Sequence, residues 1–138
     1  MRTLRAMPSF TVDVGTARLR GSDSPAAGPA RGTVVLLHAG VADRRVWAGC
    51  TTAWTSAGWR VLAHDRRGFG ESEWEAAPHD HVADLVAVLD ERDVDRSVLI
   101  GNSMGGGVAI DTALAHPDRV GALVVVGSAV TGDPPVEW

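Results

Sequence analysis

Four short, unbroken apolar runs constrain this chain more than any other feature: Thr33-Val-Val-Leu-Leu37, Val61-Leu-Ala63, Val98-Leu-Ile100 and Ala122-Leu-Val-Val-Val126. A strand with one wet face alternates apolar and polar residues. A run that is apolar at every position needs cover on both sides, as parallel strands have when helices flank their sheet. The intervening segments carry helical spacing. Asp43 can cap a helix bearing Val46, Trp47, Cys50, Ala53 and Trp54. Pro78 suits the first turn of a second helix, whose Val82, Leu85, Val86 and Leu89 form one stripe with Asp80, Asp84 and Glu91 off it. A third runs from Ser103 towards Ala115 and must stop near Pro117, because the residue before a proline resists the helical conformation. Its Val108, Ala109, Ile110, Ala113 and Leu114 predict burial on more than one side. Ahead of this alternation, residues 9–14 and 17–20 alternate in polarity and read as an antiparallel hairpin. Residues 21–32 (GSDSPAAGPARG) read as a loop. The pattern predicts an α/β fold: a mostly parallel sheet of six strands, helices on both faces, and right-handed crossovers.

Composition narrows the function classes. The 138 residues make one domain, 45% hydrophobic and 22% charged. Net charge is −4 with no basic run, which argues against nucleic acid or an anionic membrane as partner. Every positive residue is Arg; without Lys, Gly68 and Gly70 cannot belong to a P-loop. Cys50 is alone and has no internal disulfide partner. Met1 to Phe10 contains no apolar core of a signal peptide, and no stretch approaches the ~20 apolar residues of a membrane span. These features predict a soluble, cytoplasmic protein.

The chemistry concentrates at Gly101-Asn102-Ser103-Met104-Gly105, between an apolar run and a helical stretch. A serine hydroxyl becomes a useful nucleophile only where a base reaches it and N–H groups face the oxyanion it creates. A sharp strand-to-helix turn supplies the geometric part. Small residues at 101 and 105 let the backbone fold tightly, Ser103 sits at the apex, and the helix start offers free N–H groups. Two other segments leave strand ends, His38-Ala39-Gly40-Val41 and Asp65 to Ser72. Loops at the carboxyl ends of parallel strands converge on one crevice.

These segments together resemble the N-terminal half of the α/β-hydrolase superfamily, from about Phe10 onward. His38-Ala39-Gly40 is similar to the H-G-x oxyanion loop, with Ala39 where Gly is usual. Asp65-x-Arg67-Gly68-x-Gly70-x-Ser72 is similar to the D-x-R-G-x-G-x-S loop, Gly-Asn-Ser-Met-Gly-Gly to the nucleophile elbow, and His116-Pro-Asp-Arg-Val120 to the segment before the sixth strand. HAGVADRRVW and DRRGFGES resemble enol-lactonase and cofactor-free haloperoxidase-like esterases, while GNSMGG also resembles hydrolases of carbon–carbon bonds. The resemblance implies Ser103 as nucleophile, with the backbone N–H groups of Gly40 and Met104 as oxyanion donors. It implies a small-molecule ester or lactone substrate, an acyl-enzyme, and no metal or organic cofactor. Esterase, lactonase, perhydrolase and C–C hydrolase all remain open.

The family order of Ser, acid and His leaves the base unaccounted for. The only His after Ser103 is His116, at the far end of the same helix and about 20 Å away. Asp133 is a weak candidate acid, better read as a turn residue before Pro134-Pro135. The expected organisation is a flexible segment at 1–8 and a partial α/β-hydrolase domain at 9–138, incomplete after its sixth strand. The alternative is a non-catalytic remnant or interaction module that self-associates through the apolar edge of that strand. Among other residues, His38 is read as ordering its loop, and His64-Asp65 as a brace. Arg66 and Arg67 are read as holding the 65–72 loop, and Trp47, Trp54 and Trp59 as packing. His79 and His81 are not expected to bind metal, because i and i+2 point apart on a helix.

Overall fold

Each of the four apolar runs becomes a strand of one sheet. The computed structural model describes residues 8–128. Its elements run β1 (Ser9–Asp13), β2 (Arg18–Ser24), β3 (Thr33–Leu37), α1 (Ala48–Ser56), β4 (Arg60–His64), α2 (His81–Glu91), β5 (Ser97–Asn102), α3 (Met104–Ala115) and β6 (Val120–Val126). Short 3-10 turns at Arg44–Trp47 and Pro117–Arg119 lead into α1 and β6. The strand order is β1-β2-β4-β3-β5-β6. β1, β2 and β4 pair antiparallel in sequence, and β4, β3, β5 and β6 pair parallel. No helix among the described residues is long and apolar enough to cross a membrane.

The double-sided burial expected of the runs is met by β3, β4 and β5. One face presents Val35, Leu37, Leu62 and Leu99 to Leu85, Val88 and Leu89 of α2 and to Val108 and Ala109 of α3. The other presents Val34, Leu36, Val61 and Ala63 to Trp47, Trp54 and Trp59. β6 departs from the expectation. It is the edge strand, paired only with β5 among the described residues, and Leu123, Val124 and Val126 are 40%, 45% and 53% exposed.

Several local expectations shift for identifiable reasons. Residues 21–24 are strand and not loop: β2 continues through them to pair with β4, from Gly21 opposite His64 to Ser24 opposite Val61. Their polar character is matched by tertiary partners. The Asp23 carboxylate accepts from Arg60 at 3.0 and 2.7 Å and from Arg92 at 3.0 and 2.7 Å. Burial alone would raise its pKa; the two guanidiniums outweigh that and hold it below the ordinary value. In α1 the inward stripe is Trp47, Thr51 and Trp54. Val46 and Cys50 are exposed, because it is Trp47 and Trp54 that pack against the sheet face. α2 begins at His81, capped by Asp80 Oδ1 accepting from the Val82 N–H at 2.8 Å, and Pro78 lies outside it. Leu114 of α3 is 73% exposed, so that helix buries one side only, through Gly105, Gly106, Val108, Ala109 and Thr112.

The largest difference is Asp84. It is buried beside Leu85, its carboxylate taking Arg67 Nε at 2.7 Å and Nη2 at 3.0 Å. A bidentate pair of this kind satisfies both groups away from water, whereas removing one partner strands the other charge. Replacing Asp84 by Ala is expected to lower stability by about 3–5 kcal/mol in urea titration, far more than Asp90→Ala on the exposed face of the same helix.

Candidate functional site

Between the last residue of β5 and the first of α3 the chain turns through Ser103, with φ +52° and ψ −117°. A side-chain-bearing residue rarely adopts positive φ, and holding it there costs on the order of 1–3 kcal/mol. Three bonds oppose that strain. The Ser103 N–H donates to Val126 O at 2.8 Å, the Gly107 N–H to Ser103 O at 3.1 Å, and the Ser128 hydroxyl also donates to Ser103 O. The side chain is exposed. The flanking glycines are needed for space. A Cβ at Gly101 would lie 2.6 Å from Gly106 Cα, and one at Gly105 would lie 2.7 Å from His38 O. The start of α3 is thus drawn directly against the end of β3.

That contact places Met104 beside the 38–40 loop. The Met104 thioether lies on Gly40, its sulfur 2.8 Å from where a Cβ would stand. As the first helical residue, Met104 has an N–H with no intrahelical acceptor, and the Gly40 amide makes no hydrogen bond to another described residue. The loop is braced from beneath by His38, which is fully buried. Its Nε2 accepts the Arg66 N–H at 3.0 Å, and its Nδ1 lies 2.8 Å from Ala39 O, so the bonded tautomer is the neutral Nδ1–H form. Burial lowers its pKa, in keeping with that form. Arg66 returns the contact, its Nη1 donating to His38 O while its guanidinium lies over Phe69 at 5.1 Å. Burial pushes the Arg66 pKa down to about 10.

The 65–72 loop is a second braced structure. The buried Asp65 carboxylate accepts from Arg44 N at 2.8 Å, from the Arg44 guanidinium and from Glu71 N at 2.9 Å. Ser72 Oγ donates to Asp65 O at 2.6 Å and accepts from Arg20 N at 2.8 Å. Arg67 reaches inward to Asp84 and to Thr16 Oγ1 at 2.5 Å. Arg66 therefore holds the His38 backbone in place, and Arg67 ties its loop to α2 and to Thr16. Arg44 and Ser128 belong to the site without any mark in the sequence. The spacing of apolar residues carries no signal for a partner 21 or 25 positions away.

The structure brings Ser103, Met104 and Gly40 together, and no histidine hydrogen-bonds Ser103. All five histidines are described. His38 has both ring nitrogens engaged, and His116 ends α3. His64 is buried beneath the sheet end; desolvation, reinforced by His38, Arg66 and His81, pushes its pKa down to about 3. His79 and His81 do not point apart as helical spacing predicted. Their rings meet edge-on at 4.9 Å, because Asp80 between them is extended and i, i+2 side chains then share a side. No group of three or more His, Cys, Asp or Glu among the described residues is arranged to hold a metal ion. Trp47 packs on the sheet face with Trp54. Asp133 lies outside the described residues.

Comparison with known proteins agrees with this architecture. Residues 32–138 match the family described as alpha/beta hydrolase fold. The chain is 38% identical over 113 residues to a 2-hydroxy-6-oxononadienedioate/2-hydroxy-6-oxononatrienedioate hydrolase of Paraburkholderia phymatum, covering 76% of this chain and 39% of that protein. It is 42% identical over 116 residues to a non-heme chloroperoxidase of Streptomyces lividans, covering 79% and 40% respectively. Among solved structures, a Vigna radiata epoxide hydrolase mutant superposes with a TM-score of 0.81 at 27% identity, covering 94% of this chain and 41% of that one. An esterase from Exiguobacterium antarcticum gives 0.77 at 26%, covering 87% and 45%. The chain thus spans about two fifths of the length of the curated relatives it matches.

The buried histidines give a pH dependence with a definite sign. The unfolded chain takes up a proton at His64 near 6.5, but the folded one does so only near 3. Below 6.5 the unfolded state therefore binds more protons, and stability falls as pH falls through that window. His38 and His81, also lowered by burial, act in the same direction. Urea titrations at pH 7 and pH 5 should show His64→Phe losing about 2 kcal/mol less than the parent chain over that interval.

Proposed function

Because this chain belongs to the α/β-hydrolase fold family, we propose that it bears the nucleophile and oxyanion site of a serine hydrolase acting on a small-molecule carboxylic ester or lactone. The observation that carries this reading is the positive φ of an exposed Ser103 at the head of α3. Such strain has a use where a hydroxyl must be presented to a substrate. Ser103 Oγ attacks the carbonyl carbon, and the tetrahedral oxyanion takes the N–H groups of Gly40 and Met104. Collapse breaks the carbonyl carbon–oxygen bond of the ester or lactone, the released oxygen takes up the proton that the Ser103 hydroxyl gives up, and water then hydrolyses the acyl-serine. Each oxyanion donor is worth about 3–4 kcal/mol in the transition state. Nothing in this sequence of steps requires a metal or an organic cofactor. The Paraburkholderia and Exiguobacterium proteins, by name a hydrolase and an esterase, support hydrolytic chemistry.

None of the described residues hydrogen-bonds the Ser103 hydroxyl, so no general base is engaged with it. Without a base, turnover by this chain alone falls by a factor on the order of 10⁶ from that of a complete triad. Asp133 stays as a candidate acid. A second reading has its own observation: the apolar residues of β6 are about half exposed along an edge that is unpaired among the described residues, which suits self-association of a non-catalytic module.

A fluorophosphonate probe tests the first reading. Labelling should be stoichiometric, abolished by Ser103→Ala, and slow. Its rate should climb about tenfold per pH unit beyond pH 8, because an unassisted hydroxyl reacts as its alkoxide instead of levelling off near a histidine pKa. Absence of labelling together with a stable dimer in sedimentation would favour the interaction module.

A further inference from the structure

We propose that Met104 is a site of reversible oxidation, and that its sulfoxide oxygen takes the Gly40 N–H and so occupies the oxyanion site. Met104 is 47% exposed and is the only methionine among the described residues. Its side chain lies along Gly40: a Cβ there would stand 2.8 Å from the sulfur, 3.7 Å from Met104 Cβ and 3.9 Å from Cγ. Met104 therefore combines a half-exposed side chain with a sulfur packed on Gly40, the residue that carries one of the two free amides. Its place on the first residue of α3 puts it in the positive potential of a helix start, which favours an oxygen carrying negative charge.

The oxidant is a peroxide. The sulfur lone pair attacks one peroxide oxygen, the O–O bond breaks, and an S–O bond forms. The sulfur is oxidised by two electrons and the second oxygen leaves as water, taking both protons when the oxidant is hydrogen peroxide. The product is an acceptor with no proton to give, the hydrogen-bonding character of the oxyanion that the site is built to hold. A thiol-dependent sulfoxide reductase restores the thioether, because this is the reversible rung of methionine oxidation. The link from amide capture to loss of serine reactivity rests on the serine hydrolase reading; the capture itself does not.

The test uses the full chain labelled with ¹⁵N and treated with hydrogen peroxide. Peptide mapping should find one added oxygen on Met104, formed at a rate within about threefold of a free methionine peptide. The Gly40 amide proton should move downfield and its exchange with solvent slow by about tenfold. In Met104→Leu the same amide should not respond to peroxide. Fluorophosphonate labelling of Ser103 should fall by about 100-fold on oxidation and recover with the reductase, each chain being compared with its own untreated rate. Oxidation of Met104 without any change at the Gly40 amide overturns the proposal, and so does a Met104 that resists peroxide. A Gly40 response in a protein that never labels at Ser103 upholds the modification and sinks the serine hydrolase reading instead.

Discussion

The close approach of the start of α3 to the end of β3 is the contact on which the rest of the site depends. At Gly105 a methyl group would run into the carbonyls of Leu37 and His38. With hydrogen there instead, helix and strand come near enough for Met104 to rest on Gly40. The same approach forces the chain into a bend too sharp for ordinary dihedrals, and Ser103 absorbs it. Its N–H is tied to Val126, so the bend also relies on β6 keeping register with β5, where Asn102 lies opposite Val126. A site that looks local in sequence is therefore anchored to two further strands.

Below the bend, charged and polar contacts carry most of the bracing of the loops. Asp65 gathers Arg44 and the Glu71 amide, Arg67 is locked to Asp84, and Arg66 grips the carbonyl of His38. Arginine suits this work because its planar fork makes several directed bonds at once and remains charged when partly desolvated. Buried pairs of this type add little net stability over an apolar core, but losing one member leaves a stranded charge. Their consequence here is geometric: the 38–40 and 65–72 loops have few alternative positions. His38, neutral and doubly bonded, links the two loops through Arg66.

Much of this was legible in the residues. The unbroken apolar runs predict strands covered on both sides, and β3, β4 and β5 are such strands. The glycines around Ser103 predict a tight turn, and the turn is there. Misreadings fell where the deciding partner is remote. Residues 21–24 carry no strand pattern of their own; they are strand because β4 offers a ladder and two arginines meet Asp23. Asp84 interrupts an apolar stripe and so looks like a surface residue until Arg67 arrives from another loop.

The sequence by itself determined the alternation of strand and helix and the placing of a serine at a strand-to-helix bend. Periodicity and small residues act over a few positions, and both features are local. Only the tertiary structure decided which charges pair, which face of α1 is inward, that β6 is the edge strand of the described sheet, and that no histidine hydrogen-bonds Ser103. Each of these depends on strand order and on contacts between distant segments, and residue type alone does not encode which distant segment will be the neighbour.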